Sequence, residues 1–196
     1  MGNILTAFTP DTAKNLQLDA GILVKGLSDP ASFNGELSGG VKSLGATAGG
    51  ATFTAIPTIR NLFDGIDGAK GEYKDGLVID FWEIKLKATL KETTKDNFLL
   101  AIGAAEASTS TNHDVVKGRM NIKTTDFLEN ICWLGTVNGY EKPLIIELKN
   151  VMNRNGLSFV VADKDTGGME LELTAHFNVA EPNEVPFAIY IPKGAE

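Results

Sequence analysis

Residues Leu77 to Lys91 alternate apolar and polar for fifteen positions, and the alternation changes parity once. From Trp82 onward one face reads Trp82, Ile84, Leu86, Ala88 and Leu90, opposite Glu83, Lys85, Lys87, Thr89 and Lys91. Before it, Leu77, Ile79 and Phe81 share the apolar face and Asp80 the other. A period of two specifies a β-strand with one wet side. A slip of one residue sends every side chain to the opposite face, so the reversal predicts a bulge or a change of partner near Phe81. At roughly 3.3 Å per residue the stretch spans about 50 Å, longer than a usual strand. It is expected to leave the compact body or to pass from one neighbour to another.

Other segments carry the same signal. Met169, Leu171, Leu173, Ala175 and Phe177 oppose Glu170, Glu172, Thr174 and His176, and Leu144, Ile146 and Leu148 alternate with Glu147 and Lys149. Val116, Met120 and Ile122 oppose Lys117, Arg119, Asn121 and Lys123. Ile131 to Val137 is apolar on both faces, as a central strand is. Gly21 to Lys25, Ala51 to Arg60, Leu157 to Ala162 and Val185 to Pro192 are further strand candidates. One segment reads as a helix: Thr93 or Thr94 caps it, Asp96 sits in its first turn, Phe98 to Ala105 follows, and Ser108 to Asn112 ends it. Its apolar circumference predicts burial against a sheet. Asn61 to Gly76 holds four glycines, little periodicity and two strong strands as flanks, so it is expected to be a long hairpin loop. The first 19 residues and the last dozen lack strong core patterning. The whole chain, 1–196, reads as one β-rich domain with a single packed helix, an N-terminal arm over 1–19, the loop over 61–76 and a C-terminal segment over 179–196.

Composition narrows the function. With 43% hydrophobic and 22% charged residues, wholesale disorder is excluded. A net charge of −7 argues against an overall basic grip on nucleic acid. Lys85, Lys87, Lys91, Lys117, Arg119 and Lys123 would form a basic surface if their two strands pair. Aromatic interleaving is absent there, so a solvated face, or one meeting an acidic neighbour, is the better expectation. No apolar run reaches the ~18 residues of a membrane span, and no secretory signal is expected. Gly2 with Thr6 fits a myristoylation pattern, but no basic patch follows, so no membrane partner is expected. The single cysteine, Cys132, precludes a disulfide within the chain and suits a reducing compartment.

Catalytic chemistry finds little to work with. His113 falls in a polar loop and His176 on a wet strand face, and no G-x-S-x-G elbow is present. Cys132, between Ile131 and Trp133, reads as an inert core thiol. Gly45 to Gly50 superficially matches a phosphate loop, but Ala51 stands where the gripping lysine belongs. Asp64, Asp67 and Asp75 sit among glycines, yet Ile66 and Gly68 occupy positions a calcium loop needs for ligands. No zinc spacing occurs. The expectation is a protein that is not an enzyme and holds no metal or cofactor.

Several short patterns in order do carry a resemblance. Leu44-Gly45-Ala46-Thr47-Ala48-Gly49-Gly50 is followed by Phe53, Arg60, Asp64-Gly65, Gly71 and Asp75-Gly76. Then come Trp133-Leu134-Gly135, Gly139, Ile145 to Asn150, Asp163-Lys164, Thr174 to Phe177 and Pro186-Phe187. Together they resemble the major tail (tail tube) proteins of long-tailed bacteriophages of Gram-positive bacteria, over about residues 16 to 190. Ala48 departs from the pattern, since a basic residue often stands there. The resemblance implies a β-sandwich or partial barrel with one flanking helix, the tail-tube fold shared with contractile tails and type VI secretion tubes. It implies hexameric rings of this chain stacked into a hollow tube around a tape-measure protein, bounded by tail terminator and tail-tip proteins. DNA would pass through without specific binding. Such a protein is assembled in the host cytoplasm and resides in the virion tail.

On that basis Leu77 to Lys91 and Val115 to Thr124 are expected in an inner sheet, completed by a neighbour's strands. The loop residues Asp64, Gly65, Asp67, Gly71, Lys74, Asp75 and Gly76, with the termini, would bridge rings. The lumen face would carry either Glu83 and Lys85 or Glu170, Glu172 and His176. A tube protein of a contractile or type VI-like system is one alternative. A β-sandwich ligand-binding module is the other, but Trp82 and Trp133 both fall in core patterns and leave it no exposed aromatic platform.

Overall fold

The computed structural model describes residues 7–9, 11–37 and 39–193. Gly2, Thr6 and the ends of the expected N-terminal arm and C-terminal segment lie outside them. The strands are β1 (Ile22–Lys25), β2 (Lys42–Ser43), β3 (Thr47–Asn61) and β4 (Leu77–Leu90), then, after helix α1 (Lys95–Ile102), β5 (Ala105–Thr109) and β6 (Asp114–Gly118). Next come β7 (Leu128–Gly135), β8 (Leu144–Asn153), β9 (Ser158–Val160), β10 (Gly168–Ala175) and β11 (Phe187–Tyr190). Nine of them make one antiparallel sheet in the order β2-β1-β7-β8-β10-β4-β3, with β11 added to β8 and β9 to β10; β5 and β6 form a separate hairpin. The protein is mainly β with one helix.

The sheet folds over because β8 divides one of its edges. Ile145 to Leu148 pair with β11, whereas Val151 to Asn153 pair with β10. Between the two partners stands Asn150, at φ 51°, a left-handed conformation that asparagine tolerates better than most residues. Its side-chain amide donates to the His176 carbonyl, and the His176 N–H donates back to the Asn150 carbonyl. The two lobes then close on a shared core of Leu23, Ile131, Leu148 and Val151 against Ile84, Leu86, Leu90, Met169, Leu171 and Leu173. Phe187 on β11 meets the rings of Phe53 and Trp82 across the lobes, centroids 5.6 and 5.8 Å apart. The other face of β1-β7-β8 is covered by Leu27, Phe33 and Val41, which is why Ile131 to Gly135 is apolar on both sides. The last dozen residues therefore include a sheet strand, β11, despite their weak patterning.

Helix α1 begins as expected, with the Thr94 hydroxyl accepting from the Asn97 N–H. It ends sooner than expected, at Ile102. Gly103 takes φ 80° and returns its N–H to the Leu99 carbonyl, and a Cβ there would collide with the Asn153 carbonyl. Ala105 to Thr109, expected as the helix end and its polar stop, instead form β5.

A second expectation fails. β3 runs along one edge of β4 and β10 takes the other from Lys85 to Leu90, the stretch that carries Lys85 and Lys87, so Val115 to Thr124 does not lie beside those lysines. Its first part, up to Gly118, pairs with β5 instead, residues 119–123 lie outside any strand, and the six-cation surface does not form.

Candidate functional site

β3 and β4 pair from Thr47↔Leu90 to Asn61↔Leu77, and their two halves differ. The base half packs into the core. The distal half stands clear of it as an arm on which Ile56, Ile59, Leu77, Val78, Ile79 and Phe81 are each 37 to 54% exposed. Three of them, Leu77, Val78 and Ile79, are consecutive, so apolar groups emerge from both faces. The parity reversal falls here. Thr58 pairs with Phe81 and Ile59 with Ile79, leaving Asp80 as the extra residue of a bulge. Arg60 grips it: Nε lies 3.2 Å from both Asp80 oxygens and Nη2 lies 3.1 Å from Oδ1. This hydrogen-bonded pairing holds the Arg60 pKa above its ordinary value.

The tip beyond the arm is ordered by its own contacts. The Leu62 N–H donates to the Gly76 carbonyl, and the Asn61 side chain accepts from the Phe63 N–H. Phe63 lies over Gly76, where any Cβ would strike its ring, and meets Tyr73 edge-on at 5.7 Å. Gly76 is thus a packing glycine. Asp64, Gly65, Asp67, Gly71, Lys74 and Asp75 all face solvent, with Gly65 turning the chain at φ 77°.

The Leu44 to Gly50 pattern is a joint at the foot of the arm. Leu44 is buried, its N–H donates to Leu23, and its carbonyl accepts from the Asn97 amide at 2.9 Å. Gly45 leaves room for the Glu92 carboxylate, whose Oε1 accepts from the Ala46 N–H. Thr47 opens β3. Gly49 and Gly50, at φ 75° and 74°, make a bulge between Ala48 and Ala51 that aims the strand outward.

Four of the five residues expected to line one or the other lumen face, Glu83, Lys85, Glu170 and Glu172, share a single face, while His176 lies just past the end of β10. Glu172 stands opposite Lys87, Thr174 opposite Lys85, and Glu170 opposite Thr89, with Glu83 next along β4. Lys85 Nζ lies 2.6 Å from Glu83 and 3.2 Å from Glu172, and Lys87 lies 2.5 Å from Glu172. Hydrogen bonding to Lys87, then Lys85, draws the Glu172 pKa below its ordinary value, while Glu83 and then Glu172 raise that of Lys85. The basic side of β4 therefore meets its acidic neighbour within the molecule, on β10. Thr52 and Thr54 of β3 extend this face opposite Lys87 and Lys85.

The residues weighed for catalysis have structural surroundings. Cys132 is fully buried, and desolvation, with Glu147 nearby, pushes its thiol up to about 12. His176 Nδ1 lies 3.0 Å from the Asn150 carbonyl, with its ring against Phe127. His113 is exposed, and its carbonyl accepts from the Ser110 N–H and hydroxyl. No cluster of metal-ligating side chains occurs among the described residues. None of their helices is long and apolar enough to cross a membrane. Sequence reasoning missed the partners: Asp80 for Arg60, Glu92 for Gly45, and buried Glu147, which accepts from the Tyr190 hydroxyl at 2.9 Å to tie β11 down. A single carboxylate inside a run of consecutive apolar residues, as Asp80 and Glu147 are, was the available signal. No protein-family model matches the chain, and no significant match is found among curated proteins.

Proposed function

We propose that this chain is a tail tube subunit: it forms hexameric rings with copies of itself, and the rings stack into a hollow conduit through which phage DNA leaves the virion. The observation that supports this most directly is the arm, whose two apolar faces have no cover in one copy. Exposed apolar area of this extent marks an interaction site. The outer edge of β3 adds a row of backbone groups that a neighbour's strand can pair with. The mixed-charge face of β4 and β10 suits a DNA path, because its lysines are already matched by Glu83 and Glu172. Adhesion to DNA comes from Lys and Arg contacts that release counterions. In the assembled tail the tube would enclose the tape-measure protein and end on terminator and tip proteins.

The test is electron microscopy of the purified protein at rising concentration, alongside a chain lacking residues 64–75. Tubes from the intact protein, with a folded but non-assembling deletion variant, are expected. An intact protein that stays monomeric at every concentration overturns the reading.

A further inference from the structure

The exposed tip of the arm needs a counterpart, and the loop after β6 has the matching character. Arg119, its side chain almost buried, donates from Nε to the Ala105 carbonyl and from Nη1 to the Asn121 carbonyl, and it pairs through Nη2 with the largely covered carboxylate of Asp126. The second Asp126 oxygen accepts from the Lys123 N–H at 2.8 Å. The backbone of residues 119–126 is thus pinned from beneath by one ion pair. Above it Met120 is fully exposed and Ile122 is 63% exposed. A mobile loop with apolar side chains would collapse onto the body; this one is held so that it cannot. Rigid presentation of apolar groups lowers the entropic cost of binding.

Charge supplies the occupant. Lys117 and Lys123 bracket the two apolar residues in sequence, and among the described residues no ion pair engages either. The arm tip carries exposed Leu62, Ile66 and Tyr73 among four carboxylates and two lysines, a net negative charge likewise without an ion pair. Acidic-apolar and basic-apolar surfaces on one molecule are complementary to each other, which is what head-to-tail association of identical subunits requires.

We infer that the arm tip of one copy docks on the 117–123 loop of a second copy, with Ile66 against Met120 and Ile122, and the tip carboxylates facing Lys117 and Lys123. This rests on the proposed self-assembly and assigns its acceptor. The experiment is a chain carrying both Ile66→Cys and Met120→Cys, assembled and then oxidised with diamide; native Cys132 is buried and does not compete. A ladder of disulfide-linked multimers is expected, with only background from either single variant. In parallel, Met120→Glu should raise the concentration needed for assembly about tenfold, a single interface hot spot's worth. Its unfolding midpoint should stay unchanged, because the side chain touches solvent alone. Lys123→Glu should weaken assembly, and Asp67→Lys on the same chain should restore part of it. Tubes that form normally but give no ladder, with Met120→Glu assembling like wild type, overturn the acceptor and leave self-assembly standing. A Lys123→Glu change that costs DNA affinity and not assembly also overturns it. A wild-type chain that never assembles overturns both.

Discussion

The β7–β8 pair and the outer β3–β4 arm are both rich in apolar side chains, and both are apolar on two faces. In β7–β8 one face meets the opposite lobe and the other meets the Leu27 to Val41 cover, so Ile131, Cys132 and Leu148 are wholly buried. In the arm, Ile59, Ile79 and Phe81 remain about half exposed. Equal patterning with opposite burial means that the first region stabilises the chain's own fold, while the second contributes little until something covers it. The difference can be attacked by substitution.

The largest loss is expected from Leu148→Ala, which empties a site between the lobes and should cost about 3 kcal/mol of unfolding free energy. Urea unfolding followed by tryptophan fluorescence measures it; a loss of about 1 kcal/mol or less would mean that the lobes are not tightly joined there. Next is Asn97→Ala, which strips the Leu44 and Glu92 carbonyls of their amide donor in a buried setting and should cost about 1 to 3 kcal/mol. Because those carbonyls anchor the foot of the arm, this variant should also assemble poorly. Phe81→Ser is the inverse case: about 0.5 kcal/mol or less on monomer stability, with assembly greatly weakened by sedimentation. A destabilised Phe81→Ser monomer would show that the arm packs on its own body after all.

The smallest expected effect concerns the charged face. Hydrogen bonds from Lys87 and Lys85 keep the Glu172 carboxyl below the ordinary value of 4.5. A depressed folded pKa gives stability that is present above the unfolded pKa and disappears as pH falls through the folded one. The difference in unfolding midpoint between wild type and Glu172→Gln should therefore be small and constant from pH 7 to about 5, then shrink on further acidification. A gap that widens in acid would mean that the lysines do not hold this carboxylate.

Local patterns were legible in the sequence where one residue's neighbours decided the outcome. The parity reversal placed the bulge within a residue of Asp80, Thr93 or Thr94 marked the helix start to within one residue, and the two-sided apolar run placed β7 inside the sheet. The polar, Gly-rich stretch after β3 is the hairpin connection that its glycines and flanking strands imply. Partner choice was not legible. Val115 to Thr124 alternates as well as β10 does, and alternation alone does not say that β10, far along the chain, takes the free edge of β4. β5 escaped because Ala105 to Thr109 is short, mostly exposed and without a clear rhythm. The common face of Glu83, Lys85, Glu170 and Glu172 depended on that same unread pairing. Two halves of one ion-paired surface therefore looked like rival surfaces.

The way the arm is rooted has a mechanical consequence. β4 lies antiparallel along β10 for six consecutive residue pairs, from Leu90↔Met169 to Lys85↔Thr174. Tension on the far end of the arm runs parallel to that seam, so its hydrogen bonds are loaded in shear and must yield together. A strand pulled from the side would unzip one bond at a time. This geometry makes the arm a tether suited to bearing load lengthwise.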